Sequence, residues 1–174
     1  MTQPRHVVFS HGQESGPWGA KITALAETAR SEGYGAESID YQGIDSPSER
    51  LVKLMDGCKA LQGELVLVGS SMGAYVSMRA AALLHVRALF LIAPALTLPG
   101  EPSAAEKLHP CPMTLVHGWL DDVVPVEQSM AFAREHGCAL HILNDGHRLQ
   151  ESVRQIKHLF EDFLVALDLP PPLR

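Results

Sequence analysis

The sequence predicts an α/β fold: a three-layer arrangement with a mainly parallel six-stranded sheet and helices on both of its faces. Three observations predict it. Six short apolar, β-branched runs occur at His6–Ser10, Ala36–Tyr41, Leu65–Gly69, Ala88–Ala93, Met113–Gly118 and Leu140–Leu143, nearly continuous rather than alternating. That is the pattern of strands buried on both faces. Helical patterns separate most of the runs, so the chain reads as repeated strand–helix–strand units. Finally, 174 residues with 46% hydrophobic and 20% charged side chains is ordinary globular usage and suits one domain, expected over residues 1–169.

The elements follow in order. The first run leads into the loop Ser10-His11-Gly12-Gln13-Glu14-Ser15-Gly16, and a helix is expected over about 18–32. Gly33-Tyr34-Gly35 then reads as a helix stop before the second strand. Helices are expected over about 47–61 and 72–85, either side of the third strand. Between the fourth and fifth strands lie Pro94, Pro99, Pro102, Pro110 and Pro112, which leave room for at most one helical turn. A helix over 126–136 precedes the sixth strand. The last helix, 149–168, is the clearest, because Leu149, Val153, Ile156, Phe160, Phe163, Leu164 and Leu167 recur at three- and four-residue steps. The Pro170-Pro171-Pro172 tract cannot continue it, so 170–174 is read as a tail.

Composition excludes several classes. Acidic residues outnumber basic ones 20 to 14, a formal net charge of −6, whereas a nucleic-acid partner would require a basic face. Neither a G-x-x-x-x-G-K-[ST] nor a G-x-G-x-x-G phosphate loop is present. Cys58, Cys111 and Cys138 are odd in number and lack C-x-x-C spacing, so free thiols in a reducing compartment are expected, and no metal site. No stretch reaches 18 consecutive apolar residues, so no membrane span is expected. The first six residues contain no apolar signal region, and a cytoplasmic location is expected.

In a parallel sheet, ligands bind beyond the carboxyl ends of the strands, so chemistry is sought just after each run. After the third, Gly69-Ser70-Ser71-Met72-Gly73 is a G-x-S-x-G pattern between an apolar strand and an Ala-rich helix. A nucleophile on so sharp a turn leaves no space for neighbouring side chains, which glycines two residues away on each side relieve. A serine hydroxyl needs a base to take its proton. Of nine histidines, His147 lies in the loop Asn144-Asp145-Gly146-His147, after the last strand, where its ring can reach the sheet edge. The base needs an orienting acid. The fifth run ends His117-Gly118-Trp119-Leu120-Asp121-Asp122, and Asp121 is the first choice. Asp122 is an alternative acid, or else a solvated neighbour or a helix-capping residue, and Asp145 more naturally supports its own turn. An oxyanion hole is expected from the Met72 and Gln13 amides, with His11 as a structural tie. Trp18, Tyr75, Leu96 and Trp119 are candidate walls of a substrate pocket, and Glu14 beside the hole is expected to disfavour anionic acyl groups.

Together, the H-G loop, the G-S-S-M-G elbow, the H-G-x-x-D-x-x-V-P segment and the D-G-H loop resemble the α/β-hydrolase superfamily, in that family's Ser, Asp, His chain order. The resemblance spans essentially the whole chain. It implies an α/β-hydrolase-like fold and a serine hydrolase working through an acyl-enzyme. Ser71, His147 and Asp121 would occupy the triad positions, with no metal or cofactor. Larger members begin with two further strands before the H-G strand, and many insert a helical cap after the fourth run. With neither here, the chain resembles the small, capless members and should have an open site. The expected substrate is a small-molecule ester or thioester with a small or medium acyl group. The alternative is a hydrolase-fold interaction protein whose triad is little used.

Overall fold

A computed structural model describes residues 3–169, and the expected 170–174 tail lies outside the described residues. The strands are β1 (Arg5–Ser10), β2 (Gly35–Ile39), β3 (Glu64–Ser70), β4 (Ala88–Ile92), β5 (Met113–Gly118) and β6 (Ala139–Leu143). They form one sheet in the order β2-β1-β3-β4-β5-β6, with every neighbouring pair parallel. The helices are α1 (Ala20–Ser31), α2 (Pro47–Lys59), α3 (Met72–Ala81), α4 (Val126–His136) and α5 (Val153–Leu167).

Alternate residues of the central strands feed two cores. Val7, Phe9, Val66, Val68, Phe90 and Val116 meet Leu25 and Ala29 of α1 and Ile156, Phe160 and Leu164 of α5 on one face. Val8, Leu67, Leu89, Leu91 and Leu115 meet Leu54 of α2, Val76 and Met78 of α3 and Phe132 of α4 on the other. Thus the continuous apolar runs of β1, β3, β4 and β5 are explained by helices on both sides. The edge strands differ: β2 and β6 have no fully buried residue, because a strand at the sheet margin has a neighbour on one flank only.

Local signals set most boundaries. The Ser46 hydroxyl accepts the Glu49 amide at 3.3 Å and Pro47 opens the first turn, so α2 starts where capping chemistry dictates. α5 departs from expectation, since it begins at Val153 rather than at residue 149. Leu149 has φ 51°, a left-handed backbone that a helix cannot contain, and the Ser152 amide is taken by Asp145 Oδ2 at 2.9 Å. Leu149 still reaches the core with no exposed surface, but from a loop. Between β4 and β5 the described chain contains turns and no helix, so no cap covers the sheet edge. No helix among the described residues is long and apolar enough to cross a membrane.

α5 is held chiefly by Phe160, whose ring meets Phe90 at 5.0 Å and Phe9 at 6.4 Å, both edge-on. Phe160→Ala should cost about 3–5 kcal/mol of stability. Urea unfolding at neutral pH checks this as a lowered midpoint with an unchanged slope.

Candidate active site

β3 ends at Ser70 and α3 begins at Met72, leaving Ser71 alone to turn the chain. Its backbone sits at φ 55° and ψ −120°, a strained conformation for a residue with a side chain. Four bonds hold it: the Ser71 amide donates to Ile92 O at 2.9 Å, while Ser71 O accepts the amides of Ala74 at 3.0 Å, Ala95 at 3.2 Å and Tyr75 at 3.4 Å. The flanking glycines are required by close approach. A Cβ on Gly69 would lie 2.4 Å from Ala74 Cα, and one on Gly73 would lie 1.9 Å from Ser10 O. Only bare backbone lets α3 start this close to the ends of β1 and β3.

Ser71 Oγ lies 3.0 Å from His147 Nε2, and His147 Nδ1 lies 2.8 Å from Asp121 Oδ2. The three residues come from the loops after β3, β6 and β5, which meet above the sheet edge. The β5 and β6 loops are joined directly, because the Leu120 amide donates to Asp145 O at 3.0 Å and the Trp119 amide to Leu143 O at 2.8 Å. A Cβ on Gly118 would stand 2.3 Å from Asp145 O, so a glycine is needed there for the loops to touch.

Of the two adjacent aspartates, Asp121 reaches His147 and its side chain is fully buried. Asp122 is exposed, and α4 has no side-chain cap, so Asp122 does not serve as one. Asp145 supports its own loop, accepting the Gly146 amide at 2.7 Å through Oδ1 and the Ser152 amide through Oδ2. Burial alone would push the Asp121 carboxyl upward. Hydrogen bonds from the Val124 amide, the His147 ring and the Val123 amide outweigh it and hold the group below its ordinary value.

The sequence did not single out His117 as part of this network. Its ring is completely buried, with Nε2 2.9 Å from Asp121 Oδ2 and 3.0 Å from Val124 O, and Nδ1 2.7 Å from Ser129 Oγ. Two acceptors facing Nε2 require the ring proton there, leaving Nδ1 to accept the Ser129 hydroxyl; the N–H is aligned on Val124 O, with the carboxylate beside it. His117 thus meets the same Asp121 oxygen, Oδ2, as His147 does. Its sequence signal was its place as the first residue of the H-G-x-x-D-x-x-V-P segment, four residues ahead of Asp121 at the end of β5.

Ser71, Met72 and Gln13 line one cleft of about 230 Å³, together with Ala95, Thr97, Leu98, Val123, Val124, Pro125 and Gln128. Met72 opens α3, so its amide has no acceptor one turn back within the helix. None of the four residues expected as pocket walls is among those lining the cleft. Tyr75 is 2% exposed and gives its hydroxyl to Pro102 O, and Leu96 is packed in the core. Trp18 and Trp119 are about half exposed, with Trp18 under the Arg30 guanidinium. Glu14 lies well exposed and faces Arg148 at 3.4 Å, so a cation accompanies its charge. His11 is buried as a tie: its Nδ1 meets Gly12 O at 2.7 Å, and its Nε2 accepts the Tyr41 amide at 2.8 Å.

A serine on a strand–turn–helix elbow above a parallel sheet defines a class of fold, and comparison with known proteins agrees. A profile of the Alpha/beta hydrolase family matches residues 7–139. A Xanthomonas campestris pv. campestris protein placed in the alpha/beta hydrolase superfamily is 31% identical, with a TM-score of 0.89 over 93% of this chain and 99% of its own. The chain belongs to the alpha/beta hydrolase family. A lidless a/b serine hydrolase of Xanthomonas campestris is 21% identical (TM-score 0.79, 98% of this chain and 86% of that one). A Pyrococcus furiosus esterase is 18% identical (TM-score 0.82, 94% and 81%). These two share the fold. No curated protein matches the chain in sequence.

With its folded value lowered, Asp121 contributes stability that is complete above the ordinary carboxylate value of about 3.9 and is lost as pH falls through the folded value. Asp121→Asn should therefore flatten the acid side of the stability profile. Urea unfolding at a series of pH values between about 2 and 6 measures this as a shallower loss than in the wild type.

Proposed function

We propose that this chain is a serine hydrolase of carboxylic esters or thioesters with small or medium acyl groups, working through an acyl-enzyme. The observation that carries the reading is the unbroken chain of contacts from Ser71 Oγ through His147 to buried Asp121. In this mechanism Ser71 Oγ attacks the carbonyl carbon while its proton passes to His147 Nε2. Asp121 holds Nδ1–H and stabilises the imidazolium as it forms. The Met72 and Gln13 amides receive the charge that develops on the carbonyl oxygen. His147 returns the proton to the departing alcohol or thiol. Water, deprotonated by the same nitrogen, then releases the carboxylic acid and restores the serine.

Substrate size and polarity follow from the cleft. A volume of about 230 Å³ suits a small or medium acyl group rather than a long chain. Its lining side chains are apolar or neutral, with Gln13, Ser71, Thr97 and Gln128 the polar ones, which favours uncharged acyl groups.

A fluorophosphonate should label the folded wild-type protein once, with the mass added on Ser71. Ser71→Ala should abolish labelling and lower kcat on p-nitrophenyl esters by about 10⁶-fold, and Asp121→Asn should lower it by about 10⁴-fold. Rates across a series of acyl lengths should peak at short to medium chains. An intact protein that never labels or turns over an ester would overturn the reading in favour of an interaction protein, and Ser71→Ala with full esterase activity would overturn Ser71 as the nucleophile.

A further inference from the structure

Among the described residues, the largest fully buried side chain is that of Arg50, the fourth residue of α2 and 1% exposed. The hydrogen-bond acceptors that its guanidinium meets are main-chain oxygens. Nε donates to Ile44 O at 2.6 Å, and Nη1 lies 3.3 Å from Gly12 O and 3.4 Å from His11 O. Its carbon lies 5.1 Å from the centre of the Tyr41 ring. A guanidinium is costly to bury, and an apolar side chain of similar volume would fill the same space. The groups it reaches identify a role that an apolar side chain could not take.

Gly12 O belongs to the same peptide unit as the Gln13 N–H. The unit is planar and trans, so its carbonyl and its N–H point in opposite directions. Whatever grips the carbonyl therefore aims the amide. Three donors grip it: His11 Nδ1 at 2.7 Å, Arg50 Nη1 at 3.3 Å and Ser15 Oγ at 3.4 Å. His11 is itself fixed, because the Tyr41 amide donates to Nε2 and so leaves the ring proton on Nδ1. Burial lowers the pKa of His11, which keeps the ring neutral. The contact of Nε2 with Asp40 at 3.9 Å is consequently not an ion pair. Tyr41 adds a further tie from the same strand end, its hydroxyl lying 2.7 Å from Ser10 Oγ.

We infer that Arg50 and His11 are positioning residues for catalysis: by gripping the Gly12 carbonyl from behind, they turn the Gln13 amide toward the nucleophile. The inference rests on the serine-hydrolase reading, in which that amide receives the oxyanion. A cationic donor on the carbonyl also polarises the peptide, which strengthens the N–H at its other end. Both effects act on the tetrahedral state far more than on the bound ester, whose carbonyl oxygen carries less charge.

The test is Arg50→Gln in the full chain, assayed on a short-chain p-nitrophenyl ester, with rates scaled to the fraction of protein that a fluorophosphonate labels at its end point. The expected result is a kcat lower by about 10²-fold with KM within about threefold of wild type. A trifluoromethyl ketone, whose adduct with Ser71 places an oxyanion in the same position, should bind more weakly by a similar factor. A purely structural role would lower the labelled fraction and leave both values per labelled site unchanged. That outcome, or a loss confined to KM, overturns the inference. Should Arg50→Gln not fold, His11→Phe carries the test, since it removes the 2.7 Å donor and keeps a ring against Tyr41; an undiminished kcat there overturns it equally. Wild-type labelling and turnover, lost in Ser71→Ala, establish the hydrolase reading separately from either variant.

Discussion

A serine backbone at φ 55° and ψ −120° costs about 1–3 kcal/mol on its own, so something must hold it there. The restraint is the packing of two glycines against bare backbone. Gly69 faces the first turn of α3, and Gly73 faces the end of β1. With those contacts made, the Ser71 amide finds a partner on β4, and its carbonyl finds partners in the first turn of α3 and on the segment after β4. The order of strands in the sheet follows the same logic. β3 lies between β1 and β4, so the elbow at its end meets both, Gly73 facing Ser10 of β1 and the Ser71 amide reaching Ile92 of β4.

The rest of the site is built from loops that hold one another. The β5 and β6 loops meet where Gly118 leaves room for the Asp145 carbonyl, and Asp145 in turn holds the amides of Gly146 and Ser152. Asp121 then receives bonds from two amides of its own loop and from His147, with His117 buried against the same oxygen as His147. Such a carboxylate is ionised and immobile in one stroke, because the donors that lower its pKa also fix its orientation. On the opposite wall, the loop after β1 is tied down by His11, Tyr41 and Arg50. The cleft thus lies between two rigid loop systems, with no cap over it among the described residues.

Much of this was legible in the chain. The central strands announced themselves as continuous apolar runs because both their faces are covered, and the elbow as two glycines around a serine because its sterics admit little else. The loops after β5 and β6 drew notice through their positions and through the H-G-x-x-D-x-x-V-P and D-G-H patterns they carry. Other features left no trace. β2 and β6 carry apolar residues yet stay partly exposed, since position in the sheet sets burial. Leu149 keeps helical spacing with α5 but reaches the core from a left-handed loop residue. Trp18, Tyr75, Leu96 and Trp119 looked like pocket walls from their places near strand ends, yet the cleft is lined by smaller neighbours such as Ala95, Thr97 and Val123.

The sequence by itself determined the class of fold, the order of its elements and the three loops from which chemistry could come. Those properties rest on local sterics and on periodicity, which act over a few residues. Tertiary structure alone decided which aspartate meets His147, what else meets Asp121, which side chains bound the cleft and why an arginine is buried in α2. Each of those depends on residues distant in the chain but adjacent across a loop or a sheet edge. Asp121 and Asp122 are alike as letters, and only the direction in which a packed loop turns each side chain separates them.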